Sequence, residues 1–334
     1  MPTIHHRYIF LLFISLFPII SFMTGCGSSS SDWPPKPGLH KDNVISVDAI
    51  QRTYDYYIPS GLGSQAVPLV ILLHGGLGNA DAITGENGST APFKIWMDVA
   101  EHEKLILVFP EGLMGPNGET GWNDCRGDTA TTPPSDDVSY IDDLIQKFRS
   151  SFIIDPDRIY VSGISNGGFM SLRLALELSD QIVAAAVISA GMPAISQCAD
   201  AVLPISILFM NGTADPLVPY LGGTIGNPAD VRGSVQSTSN SVLYWTVFNQ
   251  TLQVAPIFNF PNIDIADNST VQRYRYFDTP VQTEVVLYKI NGGGHAGPSI
   301  LEQYTPMAEL LVGQQNHDIE MAYEVWDFFS DKRL

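Results

Sequence analysis

Ser165 is the residue of this chain best placed for nucleophilic chemistry. It is the centre of a Gly-x-Ser-x-Gly pentapeptide, residues 163–167, which follows an apolar run at 158–162 and precedes a helical pattern starting at Phe169. A strand, a sharp turn and a helix in this order lift a serine hydroxyl above the end of a sheet, and the glycines leave room where the two backbones approach. The pattern predicts a nucleophile for acyl transfer, and an ordinary glycine-rich turn is the alternative.

A serine nucleophile needs a base, and the order of the histidines favours His295. In this arrangement the acid and then the histidine follow the serine along the chain, and His295 and His317 are the histidines that do so at a distance. His317 is typical of a surface residue at the start of the last amphipathic helix. His295 instead follows an apolar run through the loop 291–294, so a strand end would carry its imidazole. An ordinary loop histidine is the alternative.

The acid is expected between the serine and the histidine, at the end of another strand. The apolar run 204–210 is followed by Asn211-Gly212-Thr213-Ala214-Asp215-Pro216. A carboxylate at Asp215 would accept the imidazole N–H, select the ring tautomer and stabilise the imidazolium. The alternative is that Asp215 only shapes a turn before Pro216.

Acyl transfer also needs N–H donors for the oxyanion that develops on the carbonyl oxygen. One is expected at Asn166, the residue after the nucleophile. The other is expected in the glycine-rich loop 74–78, where glycines let the backbone approach a ligand closely. We choose Gly76 there, with Leu77 as the neighbouring possibility, and interpret His74 as a buried structural histidine.

Alternating strand-like and helix-like segments must position these residues. The helical patterns lie at 137–152, where one stripe is apolar, and around 319–329. Apolar runs of strand length lie at 52–58, 68–73, 104–109, 158–162, 184–188, 204–210 and 284–290. The alternation predicts an α/β fold with a mostly parallel central sheet covered by helices.

Composition and charge limit the classes of partner and substrate that the chain can bind. The 334 residues are 45% apolar, which suffices for one sizeable core, and we assign a single catalytic domain to residues 44–334. The formal net charge is -18. Because a nucleic-acid binder needs a basic surface, we expect no nucleic acid partner and a neutral substrate. No cysteine–histidine spacing and no phosphate-binding loop indicates a metal or a cofactor.

The N-terminus has the layout of a secretory signal, with a basic start and an apolar middle. It ends in Met23-Thr24-Gly25-Cys26, which is similar to a bacterial lipobox, so we predict a signal peptide over 1–25 and lipid on Cys26. Residues 26–43 are expected to form a flexible linker. Gly27 after the cysteine favours the outer membrane or cell surface. An uncleaved anchor and ordinary secretion after a nearby cut are the alternatives.

The remaining cysteines, Cys125 and Cys198, are predicted to form a disulfide because export would place them in an oxidising compartment. Two free buried thiols are the alternative.

Four further features have two readings each. Trp122 either contributes to a substrate pocket or anchors a buried loop. Asp136 and Asp137 are interpreted as helix-capping residues rather than metal ligands. The segment 241–249, which contains Trp245, is expected to be a helix packed on the core, with a lid over the site as the alternative.

Taken together, the motifs resemble the α/β-hydrolase superfamily, within the polyhydroxybutyrate depolymerase and feruloyl esterase group of secreted esterases. The matching segments, in order, are Leu73-His74-Gly75-Gly76, Gly121-Trp122-Asn123-Asp124-Cys125, Asp136-Asp137-Val138, residues 163–168, residues 211–220 and Gly292-Gly293-Gly294-His295. The resemblance implies an α/β-hydrolase fold and a carboxylic ester hydrolase whose triad is Ser165, Asp215 and His295. We expect neutral polymeric or aryl esters as substrates, such as feruloylated or acetylated polysaccharides or polyhydroxyalkanoates. A peptidase of the same superfamily and a non-catalytic surface binding protein are the alternatives.

Overall fold

A computed structural model describes residues 36–227, 230–278 and 283–334. The predicted signal peptide, Cys26 and the first part of the predicted linker lie outside these residues. The strands are β1 (Gly38–Val47), β2 (Ile50–Ile58), β3 (Val67–Leu73), β4 (Ile106–Pro110), β5 (Leu113–Met114), β6 (Thr120–Gly121), β7 (Ile154–Ile164), β8 (Ala184–Ile188), β9 (Ser206–Gly212), β10 (Gly223–Asn227), β11 (Asp230–Val235), β12 (Gln253–Val254), β13 (Phe258–Asn259), β14 (Thr270–Phe277) and β15 (Glu284–Asn291). The helices are α1 (Ala80–Thr84), α2 (Trp96–Glu103), α3 (Asp137–Ser151), α4 (Asn166–Glu177), α5 (Thr238–Phe248), α6 (Pro306–Val312) and α7 (Met321–Ser330), with 3₁₀ helices at Pro92–Ile95 and Ile265–Asp267.

One 11-stranded sheet organises the fold, in the order β1-β2-β4-β3-β7-β8-β9-β15-β14-β12, with β13 also paired to β14. The strands from β4 to β15 in this order are parallel to their neighbours, whereas β1, β2, β14, β12 and β13 pair antiparallel at the two edges. The structure confirms the mostly parallel sheet. Because parallel strands share a direction, β3, β7, β9 and β15 bring their carboxyl ends, and the loops that carry the predicted site, to one edge.

Helices cover both faces of the sheet. Successive residues of a strand point to opposite faces, and along β3 Leu69 and Ile71 join one apolar core while Val70 and Leu72 join a second. The first core includes the inner faces of α3, α4 and α5, and the second includes those of α2 and α7. Every residue of β3 is buried, which is why its sequence is continuously apolar rather than alternating.

The predicted boundary at residue 43 between linker and domain is wrong. Strand β1 begins at Gly38 and pairs antiparallel with β2, so the last residues assigned to the linker belong to the sheet. His40, placed in the linker by the sequence, stacks on Tyr56 with ring centroids 4.6 Å apart. As an edge strand, β1 is only partly covered, so its apolar residues are few and its pattern does not differ from that of a polar linker.

The two helices predicted from periodicity are present as α3 and α7. Asp136 caps α3 by accepting from the N–H of Ser139 (3.0 Å). In α7 the buried side chains include Val325 and Phe329, whereas Tyr323 is exposed. Among the described residues, none of the helices is both long and apolar enough to span a membrane.

Candidate active site

Ser165 lies in the sharp turn between β7 and α4, as predicted. Its backbone has φ 57° and ψ −122°, a conformation that costs energy for any residue with a side chain. The turn is held by a hydrogen bond from the Ser165 N–H to the carbonyl of Ile188 (2.9 Å). A Cβ on Gly163 would lie 2.3 Å from the carbonyl oxygen of Gly167, and one on Gly167 would lie 2.4 Å from that of Leu73. Both glycines are therefore sterically required.

His295 and Asp215 meet above the ends of β15 and β9. Nδ1 of His295 lies 2.7 Å from Oδ2 of Asp215. The other carboxylate oxygen, Oδ1, accepts the backbone N–H groups of Leu217 and Val218, each at 2.8 Å. These bonds orient the carboxylate and keep the imidazole proton on Nδ1, which leaves Nε2 available as an acceptor.

Ser165 and His295 line one pocket of about 400 Å³. Gly76, Trp122 and Asn166 line it as well, so the predicted nucleophile, the predicted base and the predicted oxyanion donors share a single cavity. Asp215 does not line the cavity and is linked to it through His295. Both His295 and Asp215 are almost fully covered, with side-chain exposures of 8% and 2%. Such a site shields the reacting atoms from bulk water and strengthens electrostatic interactions within it.

The backbone N–H groups distinguish Gly76 from Leu77. The N–H of Leu77 already donates to the carbonyl of Thr120 at 2.9 Å. For the N–H of Gly76, no acceptor is found within the described ranges 36–227, 230–278 and 283–334. Asn166 is the first residue of α4, where a backbone N–H has no partner inside the helix. Gly76 and Asn166 are thus the pair that could bind an oxyanion.

The side chain of Asn166 forms a network that the sequence analysis missed. Its Oδ1 accepts the N–H of Trp122 at 2.7 Å, and its Nδ2 donates to Oδ2 of Asp124 at 2.6 Å. Asp124 in turn pairs with the guanidinium of Arg126, and both side chains are buried. The sequence analysis named Asp124 only as part of a matching motif, and the types of Asp124 and Arg126 alone did not reveal that they brace the residue after the serine.

Trp122 is mainly a loop anchor. Its side chain is fully buried, and its indole N–H donates to the carbonyl of His74 at 2.9 Å. The residue still borders the pocket. Of the two readings left open by the sequence, the structure favours the buried anchor, which fixes the loop that carries Gly75 and Gly76.

His74 is a buried structural residue, as expected. Nδ1 lies 2.7 Å from the carbonyl of Gly75, and Nε2 accepts the N–H of Gly112 at 2.9 Å. Burial lowers the pKa of His74 to about 4. Glu111 lies 3.8 Å from the ring, and burial raises the pKa of its carboxyl to about 6. The ring is therefore neutral near pH 7, and the contact with Glu111 is not an ion pair.

Asp137 is not a capping residue, and that prediction is wrong. It is completely buried and forms an ion pair with Arg52 at 2.7 Å. Its second oxygen accepts the N–H of Asn123 at 2.7 Å and the hydroxyl of Ser135 at 3.0 Å. The buried guanidinium of Arg52 and the N–H of Asn123, in the loop that contains Trp122, therefore hold the carboxylate of Asp137. Asp136 alone caps the helix.

Cys125 and Cys198 are joined by a disulfide, as predicted, with Cα atoms 5.2 Å apart. The bond fastens the segment that contains Trp122 and Asp124 to the loop after β8. The backbone continues this link, because the N–H of Gln197 donates to the carbonyl of Cys125 at 2.9 Å.

A second Asp–His pair lies away from the pocket. Nδ1 of His317 is 3.0 Å from Oδ2 of Asp264, and Asp267 lies close enough that the three could hold a metal ion. However, Asp267 already accepts the N–H of His317 and the hydroxyl of Ser269, so the cluster shapes a turn. His317 is partly buried and precedes α7 by several residues, so its predicted place on the surface at the start of the helix is wrong.

Helix α5 packs on the core, as expected. Trp245 is fully buried, and Tyr244 and Phe248 are partly buried against the same core. None of these three residues lines the pocket that contains Ser165. The reading of this segment as a lid is therefore not supported.

Comparison with known proteins agrees with this geometry. Residues 58–228 match the phospholipase/carboxylesterase family. The chain belongs to this family. NocK of Nocardia uniformis subsp. tsuyamanensis, which is named as a candidate esterase, is 30% identical over 83% of this chain and 79% of its own length. Feruloyl esterase B of Piromyces equi is 32% identical, and the match covers 71% of this chain but 41% of the Piromyces protein.

The fold is shared with solved esterase structures. Acetyl xylan esterase from Aspergillus awamori superposes with a TM-score of 0.52 at 14% identity, covering 77% of this chain and 94% of that one. The protein is thus an α/β-hydrolase and a carboxylic ester hydrolase.

Proposed function

We propose that the protein is a serine esterase in which Ser165, His295 and Asp215 form the catalytic triad. The observation that carries this proposal is the 2.7 Å contact between His295 and Asp215 at the wall of the pocket that also contains Ser165. The N–H groups of Gly76 and Asn166 complete the site as oxyanion donors.

The mechanism follows from these positions. Ser165 Oγ attacks the ester carbonyl while Nε2 of His295 takes its proton, and the oxyanion is stabilised by the two backbone N–H groups. His295 then protonates the leaving alcohol. Water attacks the acyl-enzyme in the same way and releases the acid. The carboxylate of Asp215 stabilises the imidazolium in both halves of the cycle.

Neutral esters, including polymeric or aryl esters, are the proposed substrates. The net charge of -18 disfavours anionic polymers, and the similarity to a feruloyl esterase supports feruloyl esters. Feruloylated or acetylated polysaccharides and polyhydroxyalkanoates are the classes to compare first.

Hydrolysis by the Ser165→Ala variant tests the proposal. We expect turnover of p-nitrophenyl acetate to fall to background while the melting temperature stays unchanged, whereas the exposed Ser150→Ala control keeps wild-type rates. A peptide p-nitroanilide should not be cleaved by the wild type, and its cleavage would instead favour a peptidase. Wild-type activity in a well-folded Ser165→Ala variant would refute the mechanism.

We also propose that the chain is exported and that its N-terminus carries lipid on Cys26, with attachment to the outer membrane or cell surface. The lipobox-like ending of the apolar segment and the disulfide Cys125–Cys198 support export. In a lipoprotein-competent bacterial host, Cys26→Ser should release the protein from the detergent phase. Mass spectrometry that finds an unmodified N-terminus beyond residue 26 in the wild type would mean ordinary secretion.

A further inference from the structure

Arg232 of β11 is a charged side chain at the pocket to which the proposed mechanism assigns no role. Arg232 lines the pocket together with Ser165. A methyl group built on Gly76 would lie 3.8 Å from Nη1 of Arg232, and also 3.8 Å from Cβ of Asn166. Nη1 is therefore adjacent to Gly76, one of the two proposed oxyanion donors.

Two carboxylates hold the guanidinium by its other nitrogens. Nε donates to Oδ2 of Asp230 at 2.7 Å, and Nη2 lies 2.7 Å from Oε2 of Glu119. Within residues 36–226, 230–278 and 283–334, Nη1 has no acceptor. Arg126, the other arginine at the pocket, differs, because its Nη1 donates to the carbonyl of Arg232 and its remaining nitrogens pair with Asp124.

The charges around Arg232 define what Nη1 can bind. One guanidinium and the carboxylates of Glu119 and Asp230 sum to a net charge of minus one, so this corner of the pocket does not attract an anionic group. Nη1 of Arg232 therefore acts as a fixed, directional N–H donor rather than as a positive charge. Its best partner is an uncharged oxygen of an ether, a hydroxyl or a carbonyl group.

The position of Gly76 assigns that oxygen to the acyl group. In the proposed mechanism the carbonyl oxygen binds at the N–H of Gly76, and His295 protonates the leaving alcohol, so the alcohol oxygen lies at His295. Nη1 of Arg232 lies beside Gly76. The acyl group, which extends from the carbonyl carbon away from the leaving alcohol, is therefore the part of the ester that we assign to Nη1.

We propose that Arg232 is a specificity-determining residue that donates from Nη1 to an uncharged oxygen on the acyl group, so that the enzyme prefers oxygen-bearing acyl groups over alkyl groups of the same size. This proposal rests on the proposed function, because it assumes that Ser165 attacks an ester bound at Gly76.

Isosteric ester pairs test it. Each pair exchanges a methylene group for an oxygen: p-nitrophenyl methoxyacetate with butyrate, and p-nitrophenyl 3-methoxypropanoate with pentanoate. The quantity measured is the ratio of kcat/KM for the ether ester to that for the alkyl ester. Comparing this ratio between wild type and variant cancels the intrinsic reactivity of the esters.

In Arg232→Met we expect the ratio for at least one pair to fall about tenfold, because one hydrogen bond from a charged donor is lost. Arg232→Lys keeps a charge for Glu119 and Asp230 but lacks the planar fork, so its ratio should fall as well. Arg149→Gln, an exposed residue of α3, is the matched control and should keep both ratios.

Two negative outcomes have different meanings. If both esters of each pair lose activity equally in folded Arg232→Lys and Arg232→Met, Arg232 does not recognise the acyl oxygen and the proposal is wrong. If the wild type hydrolyses none of the four esters, the proposed esterase function itself fails.

Discussion

Asn166 and Asp124 are joined by a 2.6 Å hydrogen bond between Nδ2 and Oδ2, across 42 positions of sequence. Asn166 follows the proposed nucleophile, and Asp124 precedes the disulfide-bonded Cys125. The bond therefore ties the proposed oxyanion N–H of Asn166 to a covalently fastened loop. Because an oxyanion donor must be held in place before the charge develops, this link is expected to matter for catalysis.

Replacing Asn166 with alanine tests the link. The variant keeps the backbone N–H but loses the side-chain bonds to Trp122 and Asp124. We expect kcat/KM on p-nitrophenyl acetate to fall by about tenfold to a hundredfold, part of the cost of losing a whole oxyanion donor. Asn240→Ala, on the exposed side of α5, should show the wild-type value. An unchanged kcat/KM in Asn166→Ala would show that the side-chain network does not support the site.

Asp215→Asn should leave a folded protein with kcat lowered by about 10⁴, because an amide no longer keeps the imidazole proton on Nδ1. The chain supplies its own control, since Asp264 also pairs with a histidine, His317, outside the pocket. Asp264→Asn should keep the wild-type kcat. Equal losses in the two variants would mean that Asp215 acts on stability rather than on chemistry.

Removing the disulfide should destabilise the fold. The bond closes a loop with a sequence separation of 73, for which loop entropy predicts a loss of about 4 kcal/mol. We expect urea unfolding of the Cys125→Ala/Cys198→Ala protein to show this loss, and esterase activity to fall because the loop carrying Trp122 and Asp124 is loosened. If reductant leaves the unfolding free energy of the wild type unchanged, the bond is absent in solution.

His74 predicts how stability depends on pH. Its pKa is about 4 in the folded state against 6.5 for the free side chain, so both states are neutral above pH 6.5. As the pH falls towards 4, the unfolded chain binds the proton first, and stability is lost by about 3 kcal/mol. Glu111, whose pKa is raised to about 6, binds its proton first in the folded state and partly offsets this loss between pH 6 and 4.5.

The comparison of wild type with His74→Gln isolates the histidine. Unfolding free energies at pH 7.5 and pH 4.5 should differ less in the variant than in the wild type, although the variant is less stable at both. The Glu111 contribution is present in both proteins and cancels in the comparison. Identical pH dependence in the two proteins would contradict a neutral buried ring at His74.

Local sequence was enough to predict the parts of the fold whose causes are local. The apolar run at 68–73 predicted the strand that became β3, and Gly163 and Gly167 predicted a turn that no larger residue can make. The order of Ser165, Asp215 and His295 at successive strand ends indicated that a parallel sheet would bring them together. Each of these signals depends on residue type, periodicity or chain order, all of which are present in the sequence.

The tertiary structure alone decided which polar groups become partners. Asp137 and Asp136 are neighbours with the same side chain, yet one pairs with buried Arg52 and the other caps α3. Arg232 lies beside Gly76 only because the β10–β11 hairpin folds over a loop more than a hundred positions earlier. Hydrogen bonds and ion pairs form between whatever groups packing brings within about 3 Å, and that proximity is set by the whole sheet rather than by any segment of the sequence.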